Sequence, residues 1–105
     1  MNTIIPYKNA FIGTSFFGDT IKANCNQLKD LFGNYQESDP HKVNFEWDLL
    51  IKEKEIPFTI YDWKEPWLDE YMVTEYHIGA RNAEESKIAV DLVNQYLENN
   101  KNTWN

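Results

Sequence analysis

Val43-Asn44-Phe45-Glu46-Trp47-Asp48-Leu49-Leu50-Ile51, then Lys52-Glu53-Lys54-Glu55, then Ile56-Pro57-Phe58-Thr59-Ile60-Tyr61-Asp62-Trp63: this stretch decides the fold. Val43, Phe45, Trp47, Leu49 and Ile51 alternate with Asn44, Glu46, Asp48, Leu50 and Lys52. A strict period of two describes a strand with one buried face. The charged quartet 52–55 is a turn. The run Ile56–Trp63 is β-branched and aromatic, which suits a returning strand, and Pro57 sits at its beginning, where a missing N–H does no harm. The core of the fold is therefore an antiparallel hairpin.

Working outward, Lys64 to Tyr71 reads as an acidic, aromatic loop, and Met72 to Ile78 as a further strand ended by Gly79. Asn82 with Glu85 three residues on forms a capping box for a helix over Ala83–Leu97. Its apolar stripe is Ala89, Leu92, Val93 and Tyr96. Upstream, Asn34 to His41 reads as a polar loop. Ile21, Cys25, Leu28 and Phe32 recur at helical spacing, which predicts a helix over Thr20–Phe32, capped by Asp19 or Thr20 and stopped by Gly33. Ala10 to Phe17 predicts a first strand. Residues 1–9 read as a lead-in, broken by Pro6, and residues 98–105 as a frayed, Asn-rich tail. The expected fold is α+β: an antiparallel meander of about four strands against two helices, in the order β-α-β-β-β-α.

The chain has 105 residues, enough for one domain and too few for two. Hydrophobic residues make up 42% and aromatic residues 15%, so a ring-built core is expected and disorder is not. A single cysteine excludes an internal disulfide, and Cys25 lies on the apolar helix face as a small core side chain. No basic region followed by a long apolar run suggests a signal peptide, and no segment nears 18 apolar residues. The cytoplasm is the expected location. The formal net charge of −7 repels nucleic acid and anionic membrane. It suits solubility, or docking on a basic protein surface.

Candidate chemistry is sparse. There is no phosphate-binding glycine loop, nucleophile elbow or cysteine pair, so no cofactor, metal or catalytic residue is expected and the chain reads as a binder, not an enzyme. His41 lies in a polar loop. His77 alternates away from Tyr76 and Ile78, the expected core pair, and shares its face with Glu75. Glu46, Asp48 and Asp62 form a candidate acidic cluster on the solvent side of the hairpin. In the block Thr59–Lys64, Phe58 and Ile60 point one way and Thr59, Tyr61 and Trp63 the other. Either the Lys64–Tyr71 loop covers those rings, or they face a partner, which Tyr and Trp suit by offering rigid area. Thr14 and Ser15 and the segment Gly79-Ala80-Arg81-Asn82 are small, polar and close to expected helix starts, which attract anions. Arg81 is the lone arginine and is placed to grip a phosphate or carboxylate.

The blocks Gly13-Thr14-Ser15 with Gly18, Leu31-Phe32-Gly33, Lys42-Val43 with Glu46-Trp47, Thr59–Lys64 and Tyr76-His77-Ile78-Gly79 together resemble a family of small bacteriophage-encoded proteins. The resemblance covers about residues 11–96. This chain departs from the pattern at Tyr76, where Trp is frequent, and at Ala80, where a second glycine is frequent. The resemblance implies an accessory protein that disarms host immunity stoichiometrically inside the host cell. The leading expectation is sequestration of a nucleotide-derived immune signal: Tyr61, Trp63 and Tyr76 stack on a base, and Lys64 and Arg81 meet phosphate, with His77, Thr14 and Ser15 alongside. The alternative is an acidic inhibitor that docks on a basic surface of a host defence protein of nuclease or CRISPR type. A third expectation is a small enzyme using His77 with Glu75 or Asp62. A binding site shared between subunits of a homo-oligomer suits so small a domain, because one copy offers little concave surface.

Overall fold

The computed structural model describes residues 2–36, 45–63 and 68–101. The predicted hairpin is present as β3 (Glu46–Ile51) and β4 (Ile56–Tyr61), paired antiparallel with Trp47 opposite Ile60 and Leu49 opposite Phe58. β5 (Thr74–Ala80) continues the meander, with Ile60 opposite Ile78 and Tyr61 opposite His77. Trp47, Leu49, Ile51, Phe58, Ile60, Tyr76 and Ile78 all turn to one face and are buried, as alternation requires.

Two further strands flank the meander. β1 (Ile4–Pro6) pairs with β3, and β2 (Ser15–Ala23) pairs with the free edge of β5, so the antiparallel sheet has five strands in the order β1-β3-β4-β5-β2. The fold is thus α+β, as the pattern predicts. The lead-in supplies an extra edge strand, where Pro6 is tolerated because it need donate no ladder bond.

The expectation for residues 10–32 needs correction. Residues 10–13 are turns and Thr20–Ala23 are strand. α1 is shorter than predicted, Cys25–Phe32, and its N-cap is Asn24, not Asp19 or Thr20. The Asn24 carboxamide oxygen accepts from the Gln27 N–H at 2.8 Å, and the Gln27 side chain accepts from the Asn24 N–H at 2.9 Å, a reciprocal cap that fixes the start. Ile21 fits the helical spacing by coincidence. It reaches the same core from a strand, with Tyr76 opposite it. Asp19 instead receives the Ser86 hydroxyl at 2.7 Å. That bond, helped by Lys87, holds its carboxyl below the ordinary value against the opposing effect of burial. Gly18, at φ 93°, sits in the register shift between Phe16 and Thr20, a bulge conformation that side chains disfavour.

α2 (Ala83–Asn100) runs three residues past the predicted end. Asn82 caps it by accepting from the Glu85 N–H, but the Glu85 carboxylate turns to Arg81 rather than closing a capping box. Both helices cover the face that carries Trp47 and Tyr76. Cys25, Leu28 and Phe32 from α1 and Ala89, Leu92 and Val93 from α2 complete the core. Trp47 Nε1 donates to the Gly33 carbonyl at 2.9 Å and ties the end of α1 to β3. Among the described residues no helix is long and apolar enough to cross a membrane.

β1 and β2 lie on opposite edges of the sheet, so residues 7–14 must cross it. The Tyr7 N–H donates to the Asp48 carbonyl at 2.9 Å on one side, and Ser15 pairs with Ala80 on the other. Between them, successive turns bury Ala10 completely. Thr14 Oγ1 stands 3.6 Å from where a Cβ on Gly79 would be. The crossover therefore lies on the face away from the helices, over the row Asp48, Thr59, Gly79. A Cβ at Gly79 would collide with Thr59 Oγ1, so a glycine here leaves room for the Thr59 side chain on the neighbouring strand.

Candidate functional site

Beyond the crossover the same face of the sheet is open. Phe16 on β2, His77 on β5 and Trp63 just after β4 form a diagonal ladder of rings. The Phe16 and His77 centroids are 4.1 Å apart with planes 14° from parallel, and Trp63 and His77 are 6.0 Å apart at 7°. Tyr61, directly opposite His77, meets it edge-on at 5.4 Å and 62°. The outer ring stays accessible, with Trp63 65% and Phe16 43% exposed. Flat aromatic faces favour stacking on other π-systems and cations.

The charges around the ladder are few. Lys22 stands opposite Glu75, and Glu46 opposite Tyr61. Burial holds the His77 imidazole below its ordinary value, against the pull of Asp62 and Glu75, and so favours the neutral ring. Burial, with the nearby Glu46 charge, raises the Tyr61 phenol.

The structure brings together Tyr61, Trp63 and His77 as alternation predicts, and adds Phe16. No local signal marks Phe16, because its neighbour His77 lies 61 positions away and meets it only through the β2–β5 pairing. Thr14 and Ser15 lie at the start of β2, not at a helix start. They do adjoin Ala80 and Arg81, but the Thr14 hydroxyl is spent on the Phe11 carbonyl at 2.9 Å. Tyr76 is fully buried on the opposite face against Trp47, at 6.0 Å between centroids, and so does not join the open stack. Arg81 is held by Glu85 through two bonds of 2.7 Å each, which compensates the charge expected to meet phosphate. Lys64 and His41 lie outside the described residues.

The predicted acidic cluster is broken up. Asp62 is fully buried and accepts from the Phe45 N–H at 2.7 Å, clasping the end of the hairpin. Asp48, expected on a solvent face, is only 5% exposed because the crossover passes over it. Burial pushes its carboxyl up to about 8, helped by a hydrogen bond and charge repulsion from Glu46, so the pair holds a proton near neutrality. No group of three or more His, Cys, Asp or Glu side chains is placed to hold a metal ion among the described residues. A cleft of about 250 Å³ opens at the β3 edge, where β1 ends and Gln36 takes over, with Tyr7, Phe32, Gln36 and Asp48 in its lining. It lies two strands away from His77.

Comparison with known proteins returns nothing similar: no protein family, curated protein or solved structure matches this chain.

Proposed function

We propose that this chain is a stoichiometric binder whose Phe16–His77–Trp63 ladder grips the flat ring of a nucleotide-derived ligand. In the setting that its bacteriophage resemblance implies, the ligand is a host immune signal and binding removes it from circulation. The observation that carries this reading is the exposed, near-parallel stack itself. Rings stacked together on an exposed face, unlike apolar residues scattered singly, are what an interaction surface presents. A neutral His77 adds to the stack without repelling an uncharged base. Phosphate would meet Lys22, and Lys64 follows Trp63 in the chain. Arg81, tied to Glu85, and Tyr76, buried, drop out of the binding set. No residue is assigned a catalytic role, since His77 is packed among rings.

The test is calorimetric titration with cyclic nucleotides and ADP-ribose derivatives. Base–aromatic stacking contributes about 1–3 kcal/mol per base, so Trp63→Ala should weaken binding about tenfold or more. No heat with any of these ligands would end the reading.

The second reading, an acidic inhibitor docked on a basic host defence protein, is favoured by the net charge of −7. It requires binding that weakens steeply with salt, and salt-independent capture would count against it.

A further inference from the structure

We propose that a second copy of this chain packs on the open sheet face, burying the aromatic ladder at a two-fold interface. The first ground is area. Trp63 and Phe16 do not stand alone on this side. Phe11 and Ile12, carried by the crossover, are 56% and 62% exposed. With about 150–250 Å² per aromatic side chain, these four leave on the order of 500 Å² of apolar surface in water. A standard interface takes about 800 Å² from each partner, a little over half of it apolar. The patch therefore matches the apolar content of one side of a stable dimer.

Charge selects the occupant. The charged residues that pair along this face are Lys22 against Glu75, and Glu46 opposite Tyr61. That near balance offers little to a strongly basic partner. It is self-complementary, because a two-fold axis can set Lys22 of one copy against Glu75 of the other. Much of the acidic surplus lies elsewhere. Glu84, Asp91 and Glu98 line the exposed side of α2, which covers the other face of the sheet. Packed sheets stand about 10 Å apart, and each helix layer lies beyond its own sheet. The two acidic helices would then be separated by several times the Debye length of about 8 Å at physiological salt. The repulsion implied by −7 per chain is screened in this arrangement.

A second copy and a flat ligand compete for the same ladder, so the dimer is tested without ligand, and a ligand that stacks on Trp63 should dissociate it. Sedimentation equilibrium and native mass spectrometry of the full chain at micromolar concentration should give a dimer. Trp63→Glu should raise its dissociation constant at least 100-fold with the circular dichroism spectrum unchanged, since Trp63 is mostly exposed in one copy. Phe11→Glu, on the crossover rather than the ladder, should act in the same direction, while Asp91→Lys on α2 should leave the dimer intact. A monomer at 100-fold higher concentration would overturn the proposal. So would a dimer that neither Trp63→Glu nor Phe11→Glu weakens, which would place the contact on the β2 edge or the helices.

Discussion

Replacing Asp48 by Asn should stabilise the protein at neutral pH and leave it nearly unchanged in acid. Asp48 is 5% exposed beneath the crossover, its Oδ1 finds no hydrogen-bond partner among the described residues, and its carboxyl is pushed up to about 8 from an ordinary value of 3.8. The folded state thus keeps a proton that the unfolded chain gives up near pH 4. Between those two values folding must take up one proton, and stability falls as pH rises, by about 1.4 kcal/mol per pH unit. From pH 5 to pH 7 this amounts to about 2–3 kcal/mol. Below pH 4 both states are protonated and the penalty vanishes. Asn is the same size as the protonated acid and donates a hydrogen bond towards Glu46 without titrating. Urea unfolding of both proteins at each pH unit from 4 to 8 isolates the Asp48–Glu46 pair, because carboxylates that do not interact with it cancel in the difference. The variant should gain on the wild type steadily above pH 5 and converge with it at pH 4. Parallel stability curves would refute the assignment of a buried, proton-retaining carboxyl at this position.

Two further outcomes follow from the same packing. Gly79→Ala should destabilise the fold by about 1–3 kcal/mol through its collision with Thr59 Oγ1; thermal melts should show Thr59→Ala relieving most of that loss, and a Gly79→Ala protein as stable as wild type would contradict the close approach of Thr59 to Gly79. Cys25 is fully buried, and burial, reinforced by the charge of Glu70, raises its thiol to about 11. Only about one thiol in a thousand is ionised at pH 8, so native protein should resist a disulfide reagent until urea opens the fold, and rapid labelling without denaturant would show the thiol is accessible.

Strict alternation over Phe45–Ile51 and Ile56–Ile60 was enough to specify a hairpin, its buried face and the opposite placement of Thr59, Tyr61 and Trp63, because period two leaves one assignment of sides. The Asn82 cap and the apolar stripe of Ala89, Leu92 and Val93 likewise placed α2, since both are local. Where helical spacing and strand alternation agreed on the same core residues, as at Ile21, local pattern could not choose, and the free edge of β5 decided for strand. Two features depended wholly on pairing across the chain. β2 beside β5 set Phe16 on His77, and the passage of residues 7–14 over Asp48, Thr59 and Gly79 buried one end of a face that alternation alone would leave in water. Hydrophobic period fixes which side a residue takes; which neighbour covers that side is a long-range contact, and only the folded chain supplies it.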